Sequence, residues 1–315
     1  MSWISGFFSL LLTVTAPLAG HDSDAARNLL LRAQLADARS DGGETFRVNA
    51  KFTMFNDDKQ IGTGNYELVW TSTSKWREKV STTDFSQLRM KDGDGIWETR
   101  QPAYQSLRVW QLMQALAFSN RLNLWKDESV GSIKTQQKNG VVERCVEVKL
   151  SGAKLRDLCF NDVSELLSEH YIPSDRTYEF TNYTKIGAKT FPGEIKVYDG
   201  KKLAAEFSVT EIEPNPTVDS LAFVRPPDAK WRKWCANPEP AFPLPTPIVV
   251  NHPPHEWHVT LFGTIGTDGR WHDLYILESG GAKADAFVLD ELKNVRFKPA
   301  TCDGVPVTAE TAFRR

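Results

Sequence analysis

Between Phe46 and Met54 apolar side chains fall at every second position, as Phe46, Val48, Ala50, Phe52 and Met54, with polar or charged residues between them. A period of two is that of an extended strand with one buried face, so the run predicts a half-buried β-strand. Tyr66-Leu68-Trp70, residues 76–81 and residues 88–90 continue as short strands, separated by turn-formers such as Asn56-Asp57-Asp58. Asp92-Gly93-Asp94-Gly95 then turns the chain into Ile96-Trp97-Glu98. Further strands are expected at 133–137, 141–150, 155–161, 176–183, 191–198 and 205–212. Many short strands with few helices predict an α+β fold dominated by a large, mostly antiparallel sheet.

Two helices interrupt this pattern. One is expected over 24–39, capped by Asp22 or Ser23, with Leu30, Leu31 and Leu35 beside Ala26, Ala33 and Ala38 at helical spacing, and ended by Gly42-Gly43. The other is expected over 104–120, where Leu107, Trp110, Met113, Leu116 and Ala117 lie on one broad face with Leu112 beside them.

Seven of the 17 prolines fall at Pro238, Pro240, Pro243, Pro245, Pro247, Pro253 and Pro254. That density excludes a central strand or helix and reads as a stiff linker over 235–254. It divides the chain into a large β domain, 21–234, and a small C-terminal domain, 255–315. In the small domain, strands at 257–265 and 271–278 are joined by Gly266-Thr267-Asp268-Gly269, an Asp-Gly hairpin turn. A helix over 285–293 and a last strand over 306–313 complete it.

At the N-terminus an apolar run from Trp3 to Val14 ends at Ala16-Pro17-Leu18-Ala19-Gly20. It is shorter than the roughly 20 residues a membrane span needs, and it fits a secretory signal over 1–20 cut near Ala19 or Gly20. No Lys or Arg precedes it, and an uncleaved run would instead anchor the chain in the inner membrane. The expected location is the periplasm or the exterior. With 38 basic and 40 acidic residues the chain lacks the basic footprint of nucleic-acid binding.

The four cysteines fall into two pairs. Reflection about Gly152 maps Cys145 onto Cys159, so a hairpin there sets them opposite each other, within reach of a disulfide. Cys235 lies before the linker and Cys302 near the end of the chain; they read equally as a disulfide or as buried thiols.

The segments VTLFGTIGTDGRWHDLYILESGG and VLDELKNVRFKPATCDGVPV carry Asp268-Gly269, Ser279-Gly280, Arg296-Phe297-Lys298-Pro299-Ala300 and Gly304 with Pro306-Val307. In that order they resemble the C-terminal domain of TonB energy transducers, over about residues 257–313. The resemblance implies a ββαβ fold and docking of an extended peptide from an outer-membrane or envelope protein. The docking strand would be Thr308, Ala309, Glu310, Thr311, Ala312 and Phe313, whose unpaired edge can accept a peptide strand. The region 24–234 resembles the LolA-type periplasmic lipoprotein carriers in its N-terminal helix, its strands ending at Trp76-Arg77, its turn before Trp97 and its midway helix. That resemblance implies an unclosed β-barrel holding helices against a concave apolar face.

Other candidate chemistry is thin. His252, His255, Glu256 and His258 could bind zinc, but their spacing matches no zinc pattern and solvated linker histidines are the plainer reading. Asp92, Asp94 and Gly95 open like a calcium loop but lack its closing Glu, so a turn is expected. Gly263, Gly266 and Gly269 precede strands and form no phosphate loop. No nucleophile elbow, metalloprotease helix or Walker motif is present. The sequence therefore predicts an exported binding protein, with no catalytic residue, metal or cofactor assigned. Three arrangements remain: a peptide-docking adaptor linked to TonB-type transport, a lipid or lipoprotein carrier whose small domain is a structural cap, or an enzyme whose site the sequence hides. In the first two, the large domain has room for an apolar ligand.

Overall fold

The computed structural model describes residues 19–93, 95–118, 122, 124, 127–150, 152–172, 176–233, 235, 238–244 and 258–314. Helix α1 (Ala19–Ala36) leads into β1 (Phe46–Asn56), β2 (Lys59–Ser72), β3 (Lys75–Thr82), β4 (Ser86–Asp92) and β5 (Gly95–Gln101). Helix α2 (Leu107–Phe118) follows. The chain then returns to strand in β6 (Glu128–Lys138), β7 (Val141–Leu150), β8 (Ala153–Asn161), β9 (Leu167–Ile172) and β10 (Arg176–Thr181). A small hairpin, β11 (Thr184–Ile186) and β12 (Lys189–Phe191), precedes β13 (Glu194–Asp199), β14 (Lys202–Pro214) and β15 (Lys230–Lys233).

All of these strands except the β11–β12 hairpin join one antiparallel sheet of 13 strands, in the order β15-β5-β4-β3-β2-β1-β14-β13-β10-β9-β8-β7-β6. Among the described residues the sheet does not close: β15 and β6 remain its ends. A sheet this wide curls rather than staying flat. Its buried rows face both helices: Phe46, Val48, Phe52, Val146, Leu158, Tyr178 and Phe207 form one cluster with Leu29 and Leu30 of α1 and Leu112 and Leu116 of α2. Gly64 stands opposite Phe52 in the β1–β2 ladder, and a Cβ there would overlap the Phe52 ring and the Ser81 carbonyl. The glycine is what lets the ring pack against β2.

The alternation read from the sequence is the alternation observed, since β1 buries Phe46, Val48, Ala50, Phe52 and Met54. The helix ends differ from expectation. Helix α1 stops at Ala36 because the Ala38 N–H bonds the Thr190 carbonyl (2.8 Å), which draws Asp37 into a bridge with Thr190. Helix α2 starts at Leu107, not 104, because the Ser106 hydroxyl accepts from the Val109 N–H (3.4 Å) as a cap.

The C-terminal unit runs through β16 (Pro238–Glu239), β17 (Phe242–Pro243), β18 (Thr260–Ile265), β19 (Trp271–Glu278), α3 (Ala282–Asn294), β20 (Phe297–Lys298), β21 (Ala300–Cys302), β22 (Val305–Val307) and β23 (Ala309–Arg314). Its main sheet has the order β19-β18-β23, and Val259, Leu261 and Ile265 pack there against Ala284, Val288 and Leu292 of α3. The proline-rich segment is not a bare spacer. Pro238–Glu239 pairs with β21, and Phe242–Pro243 with β20. Proline is tolerated at such edges because the donor it lacks would face outward. The last strand also departs from expectation: Thr308 belongs to no strand, because the chain passes there from the β21–β22 ladder to the β18–β23 ladder.

Candidate functional site

Helix α2 carries the feature with most bearing on function. Val109, Leu112, Met113 and Leu116 face the large sheet, while Leu107 and Trp110, on the opposite side, meet Phe262 of β18 with Leu277 and Ala312 against them. A helix with two apolar sides is stable only when both are covered. Here the sheet covers one face and the C-terminal unit the other. Trp110 also lies under the Arg176 guanidinium, 4.8 Å from the ring centre. Tyr104, just before the helix, stacks on Tyr275 with centroids 4.7 Å apart and planes 5° from parallel, and its hydroxyl donates to the Asp273 carbonyl at 3.2 Å.

The strand expected to dock a peptide supplies this seam. With a period of two, Glu310, Ala312 and Arg314 share one face of β23; Glu310 and Arg314 reach charged residues of the large sheet, and Ala312 meets α2 between them. Ala312 joins the Trp110 cluster. Glu310 is held by Arg100 (Nη1 3.1 Å, Nη2 2.7 Å) and by Arg232 Nη2 (2.6 Å). Glu98 bridges the same two arginines from β5, contacting Arg100 and, at 3.3 Å, Arg232 Nε. At the other end Arg314 bonds Asp199 (2.6 Å), which Arg108 of α2 also contacts at 3.1 Å. Burial pushes the Glu310 and Asp199 carboxyls upward, but the paired arginines outweigh it and hold both below the usual carboxylate range. The apolar patch is thus bounded by an ion cluster at each end, and β23 contributes one member to each.

On its other side β23 pairs Ala309–Arg314 with Ile265–Thr260 of β18, and it is an end strand of its sheet. Ala309, Thr311 and Phe313 alternate onto the face away from Glu310, and Phe313 packs on the C-terminal core.

Both cysteine pairs are disulfides. Cys145 and Cys159 are register partners across β7–β8, with Cα atoms 3.9 Å apart and Gly152 turning the hairpin at φ +83°. Cys235 joins Cys302 and fastens the proline-rich segment to β21. Glu143 places its carboxylate within 4.8 Å of the first pair, but both sulfurs there are already spent on each other. Of the candidate zinc ligands, His252, His255 and Glu256 lie outside the described residues, as do Asp94 and residues 1–18 of the expected leader; His258 is exposed.

The large domain buries further charge. Arg156 grips Glu128 at 2.6 and 2.9 Å inside the β6–β8 layer. Arg39 bonds both Asp37 oxygens and the Leu116 carbonyl, tying the end of α1 to α2. His170 packs edge-on to Tyr178, and burial, helped by Arg156, lowers it to about 3. Between β1, β2 and β3 an open hollow of about 530 Å³ is lined by Lys51, Thr53, Thr63, Asn65, Thr82 and Thr83. No helix among the described residues is long and apolar enough to cross a membrane.

Sequence reading found Trp110 and Leu107 as a helix face and Glu310 as a strand residue. It missed Arg100, Arg232, Arg108 and Asp199. Arg100, Arg232 and Asp199 are ordinary strand residues and Arg108 an ordinary helix residue, and their partners lie far along the chain, Arg100 from Glu310 by 210 residues.

No protein family matches this chain, the TonB C-terminal domain included, and no curated protein matches it in sequence. Similar solved structures include a DUF1329 family protein from Desulfovibrio piger (TM-score 0.46, 11% identity, 64% of this chain and 97% of that one). A putative outer membrane lipoprotein-sorting protein domain from Vibrio parahaemolyticus gives TM-score 0.44 and 11% identity over 65% of this chain and 97% of its own. A LolA superfamily protein from Nitrosomonas europaea gives TM-score 0.43 and 16% identity over 64% of this chain and 97% of its own. The neighbours of this chain's large antiparallel sheet thus include LolA-superfamily proteins.

Proposed function

We propose that this chain is an exported envelope protein that carries an apolar ligand on the inner face of its open sheet, with the C-terminal unit as the cap. The observation that carries the reading is the burial of α2 on both sides, between the 13-stranded sheet and the C-terminal unit. A helix so placed occupies the volume an acyl chain would take, and it is freed when the cap lifts. The two disulfides fit an oxidising compartment, and the apolar run at Trp3–Val14 supplies the route there. The lipoprotein-sorting description of the Vibrio neighbour agrees with a carrier, and lipid or lipoprotein is the ligand class we favour.

The test is titration of the full chain with the uncharged apolar probe N-phenyl-1-naphthylamine. Saturable binding that strengthens in Tyr275→Ala, which removes the stack on Tyr104 across the seam, is the expected result. A folded chain that never saturates would sink the reading.

A second reading has one observation in its favour: β23 ends its sheet, so its outer edge can add an extended envelope peptide as a further strand, as in TonB-type docking. Nuclear magnetic resonance shifts confined to Ala309–Arg314 on adding a receptor-derived peptide would favour it. Absence of shifts with every peptide would remove it.

A further inference from the structure

Glu310 is bound the way a ligand is bound. Both of its carboxylate oxygens are taken by guanidinium groups, Oε1 by Arg100 and Arg232 and Oε2 by Arg100, in the forked geometry that arginine offers to carboxylates and phosphates alike. Arg100 comes from β5 and Arg232 from β15, the end strand paired to it, so the large sheet alone builds the receptor. The guest comes from the other unit, on a strand reached through the Cys235–Cys302 tether. If Glu310 withdraws, two guanidiniums face the single carboxylate of Glu98, and one positive charge is left over. Beside it, two residues along β23, Ala312 marks where the apolar floor of Leu107 and Trp110 begins. A charged fork next to an apolar floor suits a molecule with an anionic head and an apolar body.

We infer that Glu310 fills, from within the chain, the head-group site of an anionic acyl-chain amphiphile: Arg100 and Arg232 receive its carboxylate or phosphate, and Leu107 and Trp110 of α2, which Phe262 covers in the closed form, receive the start of its chain. The inference rests on the carrier reading and names the class of its ligand. Head group and Glu310 exclude each other, so loading releases β23 from the large sheet. With Glu310 gone, Ala312 has less to hold it against α2, and the floor opens where the chain enters. The intramolecular guest keeps the arginines paired and the floor dry while the carrier is empty.

The experiment compares cis-parinaric acid, a fluorescent fatty acid, with its methyl ester on the full chain. Wild type, Glu310→Gln and Glu310→Gln with Arg232→Gln are titrated, each checked for folding by circular dichroism. Vacating the site removes the competition, so Glu310→Gln should bind the acid at least about fivefold tighter than wild type. The acid-to-ester affinity ratio should rise in the same variant and return to near one in the double variant. Should Arg232→Gln fail to fold, Arg100→Lys, which keeps charge but not the fork, takes its place and should lower the ratio. Three results overturn the inference. An ester that binds as well as the acid in folded Glu310→Gln leaves the carrier reading standing and removes the head-group site. Binding of neither probe by any folded variant removes both. Displacement of the acid by inorganic phosphate or a short acidic peptide as readily as by lysophosphatidic acid shows a site for the anion alone.

Discussion

The two disulfides should differ in what they contribute, and the difference can be worked from the chain. Cys145–Cys159 closes a loop with a sequence separation of 14, Cys235–Cys302 one of 67. Cross-linking removes loop-closure entropy from the unfolded chain, which for these lengths amounts to about 3 and about 4.4 kcal/mol at 25 °C. The short bridge sits in a ladder that already fixes its register, with Val146↔Leu158 and Val148↔Arg156 paired beside it. The long one alone anchors residue 235 to β21, next to the two-residue pairings at 238–239 and 242–243. Cys145→Ser with Cys159→Ser should therefore lower the stability of the large sheet by about 3 kcal/mol. Cys235→Ser with Cys302→Ser should cost the C-terminal unit about 4.4 kcal/mol and uncouple its unfolding from that of the sheet. Urea unfolding under non-reducing conditions, followed by far-ultraviolet circular dichroism for the sheet and by tryptophan fluorescence, reads both. A larger loss from the short bridge, or a single unchanged transition after removing the long one, would refute the entropic reasoning.

Further outcomes follow from buried groups. Arg156→Ala leaves Glu128 buried without its partner and should cost about 3–5 kcal/mol in thermal or urea unfolding, whereas Arg156→Met with Glu128→Leu should recover most of the loss. Gly64→Val drives a side chain into the Phe52 ring and the Ser81 carbonyl and should cost about 1–3 kcal/mol or more, whereas Gly140→Ala, in open space but at a positive φ, should cost about 1–2 kcal/mol from backbone strain alone. His170 is lowered to about 3, so the unfolded chain takes up a proton below pH 6.5 that the folded chain refuses. Stability is then full above pH 6.5 and falls by about 1.4 kcal/mol per unit towards pH 3; a His170→Phe variant should flatten that slope in urea midpoints. Glu310 and Asp199 lie below the usual carboxylate range, so their contribution to the seam is complete above that range and is lost as pH falls through their lowered values. Limited proteolysis should show the C-terminal unit released in acid before the sheet opens.

The sheet was legible because its signal is local. Phe46 to Met54 alternate, Gly152 centres the Cys145–Cys159 hairpin, and Asp268-Gly269 turns β18 into β19, all within a few residues. What escaped depends on distant partners. The prolines of 238–243 read as a free spacer because nothing nearby shows that β20 and β21 supply an edge for them. Thr308 read as strand because Pro306-Val307 and Ala309–Arg314 are both extended, though they pair in different sheets. Trp110 read as one more core residue of an amphipathic face, when it lies on the second apolar side that calls for a cap. The arginines that grip Glu310 are ordinary strand residues until the two units meet.

Native mass spectrometry of the full chain purified from its own compartment tests the carrier reading most directly. The account predicts a bound species of added mass, released by organic solvent and identified as an acyl-chain amphiphile, with more of it retained when Glu310 is replaced by Gln. A protein that leaves the cell at its bare mass in both forms, and stays bare after incubation with envelope lipid, would contradict it.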